Sequence, residues 1–210
     1  MKEVAAGGKI TSVTFQWARA GKMYTLQGSR VVHHGGGESP YRPVVGDLKM
    51  APDQGKFFYE IRTNNDNCKL GVCVADAFQT DNELRNVELG TRYDPSTRNK
   101  LPSPTKCWVL NCQTSAVEVN GEERKRLWRL FVPVSGARFG FLVDTNTGVV
   151  QLYVNDEYQG ILFDETLELK GKALCPCIGL AGMDMNNRNI GAGNKSACVS
   201  LAKRCPVGGV

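Results

Sequence analysis

Histidine is the scarcest chemistry-bearing residue of this chain: two occur in 210 residues, and they are the neighbours His33 and His34. Adjacent side chains of an extended chain point to opposite faces, so the pair cannot converge on one nucleophile or one metal ion. No CxxC knuckle accompanies them, which removes the usual zinc-ligand spacing. Nucleophilic chemistry needs a Ser or Cys within reach of a base, and neither histidine has a recognisable partner. Carboxylates such as Asp144 and Asp164 fall at strand ends and turns, where Asp has structural reasons to stand, so a glycosidase pair is not expected. The sequence therefore predicts no enzyme, no catalytic residue, no cofactor and no metal ligand.

Long apolar runs are missing too. None approaches the roughly 20 residues that span a bilayer, and the opening MKEVAAGGKITSVTF has no apolar h-region. The expectation is a soluble cytoplasmic protein, with the nucleus as a second compartment and no membrane partner. Strong charge is lacking as well: the net is +5 from 26 basic and 21 acidic residues. The basic residues are dispersed except in ERKR (Glu123 to Arg126), which reads as a solvated loop after the turn-like Asn120-Gly121. Nucleic-acid binding would want a basic stripe interleaved with exposed aromatics, and a small-molecule substrate would want a site that is not visible here. The sequon Asn194-Lys195-Ser196 carries no meaning in an intracellular chain.

Cysteine is the exception to this scarcity, with eight. An even count permits a disulfide framework, but that reading goes with short secreted chains. Cys73, Cys107 and Cys112 sit in or beside apolar runs, where a free thiol behaves as a small core hydrophobe. Cys175 and Cys177 flank Pro176 and share one strand face, which again suits core packing.

What the chain does have is strands. From Val149 onward, Val150, Leu152 and Val154 fall on one side of an extended chain, and Gln151 and Asn155 on the other. Phe139, Phe141 and Val143 alternate in the same way before the turn DTNTG (Asp144 to Gly148), and Asn155-Asp156-Glu157 leads into a third run up to Phe163. The stretch from 140 to 160 thus reads as a three-strand antiparallel meander. Further strand-like runs are Val31-Val32, Phe57 to Arg62, Lys69 to Ala75, Cys107 to Leu110, Ala116 to Val119, Ile178 to Leu180 and Cys198 to Leu201. Sustained helical periodicity is absent, and the only helix candidates are Asp81 to Leu89 and a turn or two around Lys125 to Phe131. Many short strands without crossover helices pack as two antiparallel layers over one core. The predicted fold is an all-β, two-layer antiparallel sandwich with one or two short helices.

The order of these strands resembles that of a SPRY domain, from about Tyr24 to Leu201. Four segments carry the resemblance: GKFFYEIR (Gly55 to Arg62), KLGVCVADA (Lys69 to Ala77), GARFGFLVDTNTGVVQLYVNDEYQG (Gly136 to Gly160) and LCPCIGL (Leu174 to Leu180). VADAF (Val74 to Phe78), NDEYQG (Asn155 to Gly160) and LKGKALCP (Leu169 to Pro176) are most similar to the subgroup found in SOCS-box adaptors of ubiquitin ligases. Nothing after Leu201 resembles a SOCS box, and HHGGGESPYRP (His33 to Pro43) departs from the subgroup's peptide-reading loop. The resemblance implies a concanavalin-like sandwich without enzymatic activity whose edge loops bind a protein or peptide, as an adaptor or a subunit of a larger assembly. It divides the chain into a 1–23 extension packing on the sandwich, a 24–202 sandwich and a 203–210 tail.

Three connections are long: Gly35 to Asp47, Asp76 to Lys106 and Gly182 to Lys195. Long connections in a compact domain are commonly functional. The residues singled out for partner binding are His34, Glu38, Tyr41, Arg42, Arg92, Tyr93, Met183 and Asp184. Tyr and Arg are enriched at interface hot spots, and methionine in a polar loop makes adaptable contacts. Trp108 lies within a strand and is assigned to the core. The competing reading is a lectin-like sandwich binding a glycan, with Asn64 to Asn67 (NNDN) as a calcium loop; a hairpin turn explains that stretch more simply.

Overall fold

The computed structural model describes residues 9–34, 41–64, 67–89, 107–119, 122–127, 136–181 and 195–200. Along the chain run β1 (Ile10–Ser12), β2 (Trp17–Ala20), β3 (Tyr24–Gln27), β4 (Arg30–His33), β5 (Val44–Gly46), β6 (Lys56–Thr63) and β7 (Cys68–Val74). After the helix α1 (Asp81–Asn86) come β8 (Cys107–Asn111), β9 (Ala116–Val119), β10 (Glu122–Arg126), β11 (Ala137–Asp144) and β12 (Val149–Val154). The series ends with β13 (Glu157–Phe163), β14 (Leu174–Leu180) and β15 (Lys195–Ser200).

Two sheets face each other, as the strand pattern predicts. One has the order β13-β12-β11-β6-β15-β4-β3, and β1 lies beside β6 in parallel. The other has the order β10-β9-β8-β7-β14-β5-β2. Apart from the β1 pairing, the ladders are antiparallel. The meander of β11, β12 and β13 forms as expected, with Phe141 opposite Leu152. Its second turn uses Asn155 and Asp156 at φ 51 and 74. This is the left-handed geometry a two-residue hairpin needs, supplied by Asn and Asp instead of glycine.

Between the sheets, Tyr59, Ile61, Phe139, Phe141, Leu70, Val72, Leu110 and Ile178 are fully buried. Phe15 and Trp17 join this core, with their rings edge to face at 5.0 Å. Trp108 is buried as expected, and its Nε1 donates to the Leu167 carbonyl at 2.8 Å.

Two local expectations need correction. The helical turn around Lys125 is instead part of β10, paired with β9 through a bulge between Glu123 and Lys125; residues 128–131 lie outside the described part. ERKR is accordingly an edge strand and not a loop. Its charges pair with each other, Arg126 with Glu123 at 2.6 Å and Arg124 with Glu122 at 2.9 Å, the charged dressing that keeps an edge from recruiting further strands. The strand read from Ile178 to Leu180 starts at Leu174 and includes Pro176, in line with Cys175 and Cys177 sharing one strand face. Pairing of β14 with β5 stops at Cys177 and resumes only at Leu174 with Met50, so the N–H that Pro176 lacks falls in a gap of the ladder.

The second sheet is covered on its outer face as well. Residues 76–89 lie across it, and Phe78, Leu84 and Leu89 pack on Val45, Cys73, Cys107, Val109, Cys175 and Cys177. Gly21 allows α1 to approach, because a Cβ there would stand 2.6 Å from the Leu84 carbonyl oxygen. This strap buries the outer face of β7, β8 and β14 as the facing sheet buries the inner one.

Candidate partner-binding site

At one end of the sandwich several connections are anchored side by side. His33 pairs with Lys195, so the segments after β4 and before β15 start from neighbouring points. The Tyr41 N–H donates to the Leu180 carbonyl at 3.3 Å, and the Ala181 N–H to that of Asn67 at 3.0 Å. Gly136 donates to Thr63 at 3.1 Å, and Cys112 to Cys68 at 2.9 Å. The strap arrives here too: the Leu89 N–H donates to the Tyr41 carbonyl at 2.7 Å.

Beneath these anchors lies a buried polar network. Lys69 is 5% exposed, and its Nζ sits 2.9 Å from Glu118 and 3.9 Å from Glu88. The same ammonium stands 4.6 Å from the centre of the Tyr41 ring, a cation–π contact whose value grows with desolvation. Asn111 donates to Glu118 at 3.0 Å. The Tyr41 hydroxyl donates to Asn67 and reaches Gln113 at 3.3 Å. Desolvation raises the Glu88 carboxyl above its ordinary range, while Lys69 and then Arg42 draw it back. Burial likewise raises the Tyr41 hydroxyl, so it stays a neutral donor.

Tyr41 and Arg42 were expected on the surface, and both are buried, at 8% and 7% exposure. Tyr41 adopts φ 58, and its backbone lies directly on β14, where a Cβ on Gly179 would stand 2.8 Å from the Tyr41 Cα. The Arg42 carbonyl accepts from the Tyr24 hydroxyl at 2.9 Å. His34 is exposed and interacts with the Thr25 hydroxyl. Glu38, Arg92, Tyr93, Met183 and Asp184 lie outside the described residues. Asn67, from the NNDN stretch, is buried and its side chain is engaged by Tyr41.

Sequence reasoning missed Lys69, Glu88, Asn111 and Glu118. A signal existed: on β7 the face carrying Lys69 also carries Gly71 and Cys73, opposite Cys107 and Cys175 on its neighbours. A lysine on a thiol-rich face is a lysine on a covered face.

The opposite end of the same sheet holds a cleft of about 840 Å³ with Arg19, Lys49 and Lys172 on its walls beside Asp47 and Asp76, and with Cys175 among its lining. Arg19 spans it, donating to the carbonyls of Ala75 at 3.3 Å and Ala77 at 3.5 Å. Among the described residues no helix is long and apolar enough to cross a membrane, and no group of His, Cys, Asp and Glu is arranged to hold a metal ion.

No protein-family model matches the chain, and no curated protein matches it. Solved structures do. The crystal structure of the TRIM65 PSpry domain aligns over 90% of this chain and 93% of its own, at TM-score 0.58 and 19% identity. The SPRY domain of human HERC1 aligns over 87% of this chain and 95% of its own, at TM-score 0.57 and 12% identity. Stonustoxin aligns with 90% of this chain over 27% of its own length, at TM-score 0.54 and 12% identity. The class is thereby defined: this is the concanavalin-like sandwich in the form taken by SPRY domains.

Proposed function

We propose that the chain is a non-enzymatic SPRY-type interaction module, an adaptor or assembly subunit that binds a protein or peptide at the end of the sandwich where its connections converge. The single observation that carries this reading is the buried Lys69–Glu118–Glu88 network under the anchors of six separate connections. Loops presented from a rigid floor recognise partners without catalytic groups. In this reading His34, Glu38, Arg92, Tyr93, Met183 and Asp184 supply the contact surface. Tyr41 and Arg42 work from beneath, fixing where that surface stands. A link to ubiquitin ligases, suggested by the SOCS-adaptor resemblance and in keeping with the kind of domain the structural neighbours are, belongs to the same proposal. So do the cytoplasmic location and the exclusion of nucleic acid, membrane and small-molecule ligands.

The test is quantitative affinity purification with wild type, a His34→Ala/Met183→Ala/Asp184→Ala variant, and a Lys49→Ala/Asp76→Ala variant at the far end, all with matched melting temperatures. A protein recovered by wild type and the far-end variant but lost by the loop variant supports the reading. Equal recovery by all three overturns the assigned surface. Glycan-array binding together with calcium-dependent thermal stabilisation would replace the whole reading with a lectin.

A further inference from the structure

The outer face of the second sheet carries a row of thiols. Cys73 of β7 is directly opposite Cys175 of β14 on one side and directly opposite Cys107 of β8 on the other. Cys177, two residues along β14, hydrogen-bonds the Cys73 thiol. All four are buried thiols outside any disulfide, roofed by the strap residues Phe78, Leu84 and Leu89. Core packing alone asks for small apolar side chains here, and alanine or valine would serve. A row of adjacent sulfurs adds a chemistry that those residues lack.

Access separates the members of the row. Cys73, Cys107 and Cys177 are 0% exposed, whereas Cys175 is 4% exposed and lines the 840 Å³ cleft at the base of the strap. A small oxidant entering that cleft meets one thiol first. Geometry then selects the second. The Ala75 N–H donates to the Ala173 carbonyl at 2.8 Å, which makes Cys73 and Cys175, two residues along the same ladder, a hydrogen-bonded pair. Such pairs stand with Cα atoms about 5.5 Å apart, inside the roughly 4.4–6.8 Å window that a disulfide spans.

We propose that Cys175 is a peroxide-modified site and that Cys73 is its resolving thiol, joined to it as a cross-strand disulfide between β7 and β14. The steps balance. The Cys175 thiolate attacks one oxygen of hydrogen peroxide, the O–O bond breaks, and sulfenic acid and water result once the thiol's proton is counted. The Cys73 thiol then attacks the sulfenic sulfur, the S–OH bond breaks, and a second water leaves. Two thiols are oxidised and one peroxide is reduced.

Burial, then the facing Cys73 and more weakly Asp47, raise the Cys175 thiol to about 11 against the opposing pull of Arg19 and Lys49. The thiolate is the reacting form, so the site is slow at neutral pH and quickens as pH rises. A poised sensor would react at once; this one responds to sustained exposure.

The experiment exposes folded wild-type protein to hydrogen peroxide, blocks remaining thiols after denaturation, and maps linked peptides by mass spectrometry without reduction. The expected product joins the Cys73 and Cys175 peptides, forming about a hundredfold faster when pH is raised by about two units. Cys175→Ser abolishes it. Cys73→Ser leaves Cys175 to proceed to sulfinic acid with no linkage. Circular dichroism of both variants before exposure establishes that they are folded, and wild type alone keeps the proposal falsifiable should either fail. Linkage of Cys73 to Cys107 or Cys177 in its place overturns the assignment, as does a Cys175 that stays reduced while the half-buried Cys198 is oxidised.

Discussion

Lys69 is the residue on which the loop end rests. Its ammonium is held by Glu118, faces Glu88 and lies over Tyr41, so removing it strands two carboxylates in a poorly hydrated place. Breaking one half of a buried pair costs about 3 kcal/mol, whereas replacing both halves with apolar groups is often neutral. Lys69→Met should therefore lower the unfolding free energy by about 3 kcal/mol in urea titrations. Adding Glu118→Leu should restore most of it. Glu88 offers a second test through pH, in the company of Lys69, Arg42 and Glu118. A carboxyl that ionises less readily in the fold than in the unfolded chain contributes stability below its unfolded pKa and loses it as pH rises through the folded one. Glu88→Gln removes that loss. Melting temperatures of the two proteins should converge in acid, and the variant should gain on wild type as pH rises to neutrality.

The strap and its helix show how local chemistry fixes an element that packing then uses. Thr80 caps α1: its hydroxyl accepts from the Glu83 N–H at 3.2 Å, and the Glu83 carboxylate accepts from the Thr80 N–H at 3.0 Å. This reciprocal cap satisfies two donors that a helix start leaves open. Thr80→Ala should weaken it by about 1 kcal/mol, read as faster amide exchange at Leu84 and Val87, the helix's own hydrogen-bond donors. Such elements differ in how far the sequence discloses them. The meander was legible because Val150, Leu152 and Val154 alternate strictly and the turn residues between strands are Asn, Asp and Gly. β1, β2, β3 and β5 were not, since three or four residues cannot establish a period. Why β14 tolerates Pro176 was not legible, because the gap in which its missing donor falls belongs to a neighbouring strand that no local pattern reveals. Tyr41 looked like a contact residue by its type; its burial follows from Gly179, far away in sequence, leaving room for the backbone.

Over the whole molecule, the first strands serve both sheets: β1 lies beside β6 in one, and β2 belongs to the other. β2 is the terminal strand of that second sheet, and Trp17 and Phe15 seal the space between the layers. Trp17→Ala should cost about 3–5 kcal/mol, and trimming residues 1–20 should abolish the cooperative melting transition, measured by scanning calorimetry. A partner-binding tail would instead leave that transition intact. The parallel strand β1 has a further consequence. Ile10 lies beside Lys56 while Ser200 lies beside Glu60, both along the same strand β6. Four residues of a strand span about 14 Å at roughly 3.4 Å each. The first and last described strands thus share one short stretch of the sandwich, so that, spliced at these strands into a surface loop of a host protein, the fold would require the host to part its own chain by little more than the width of a helix.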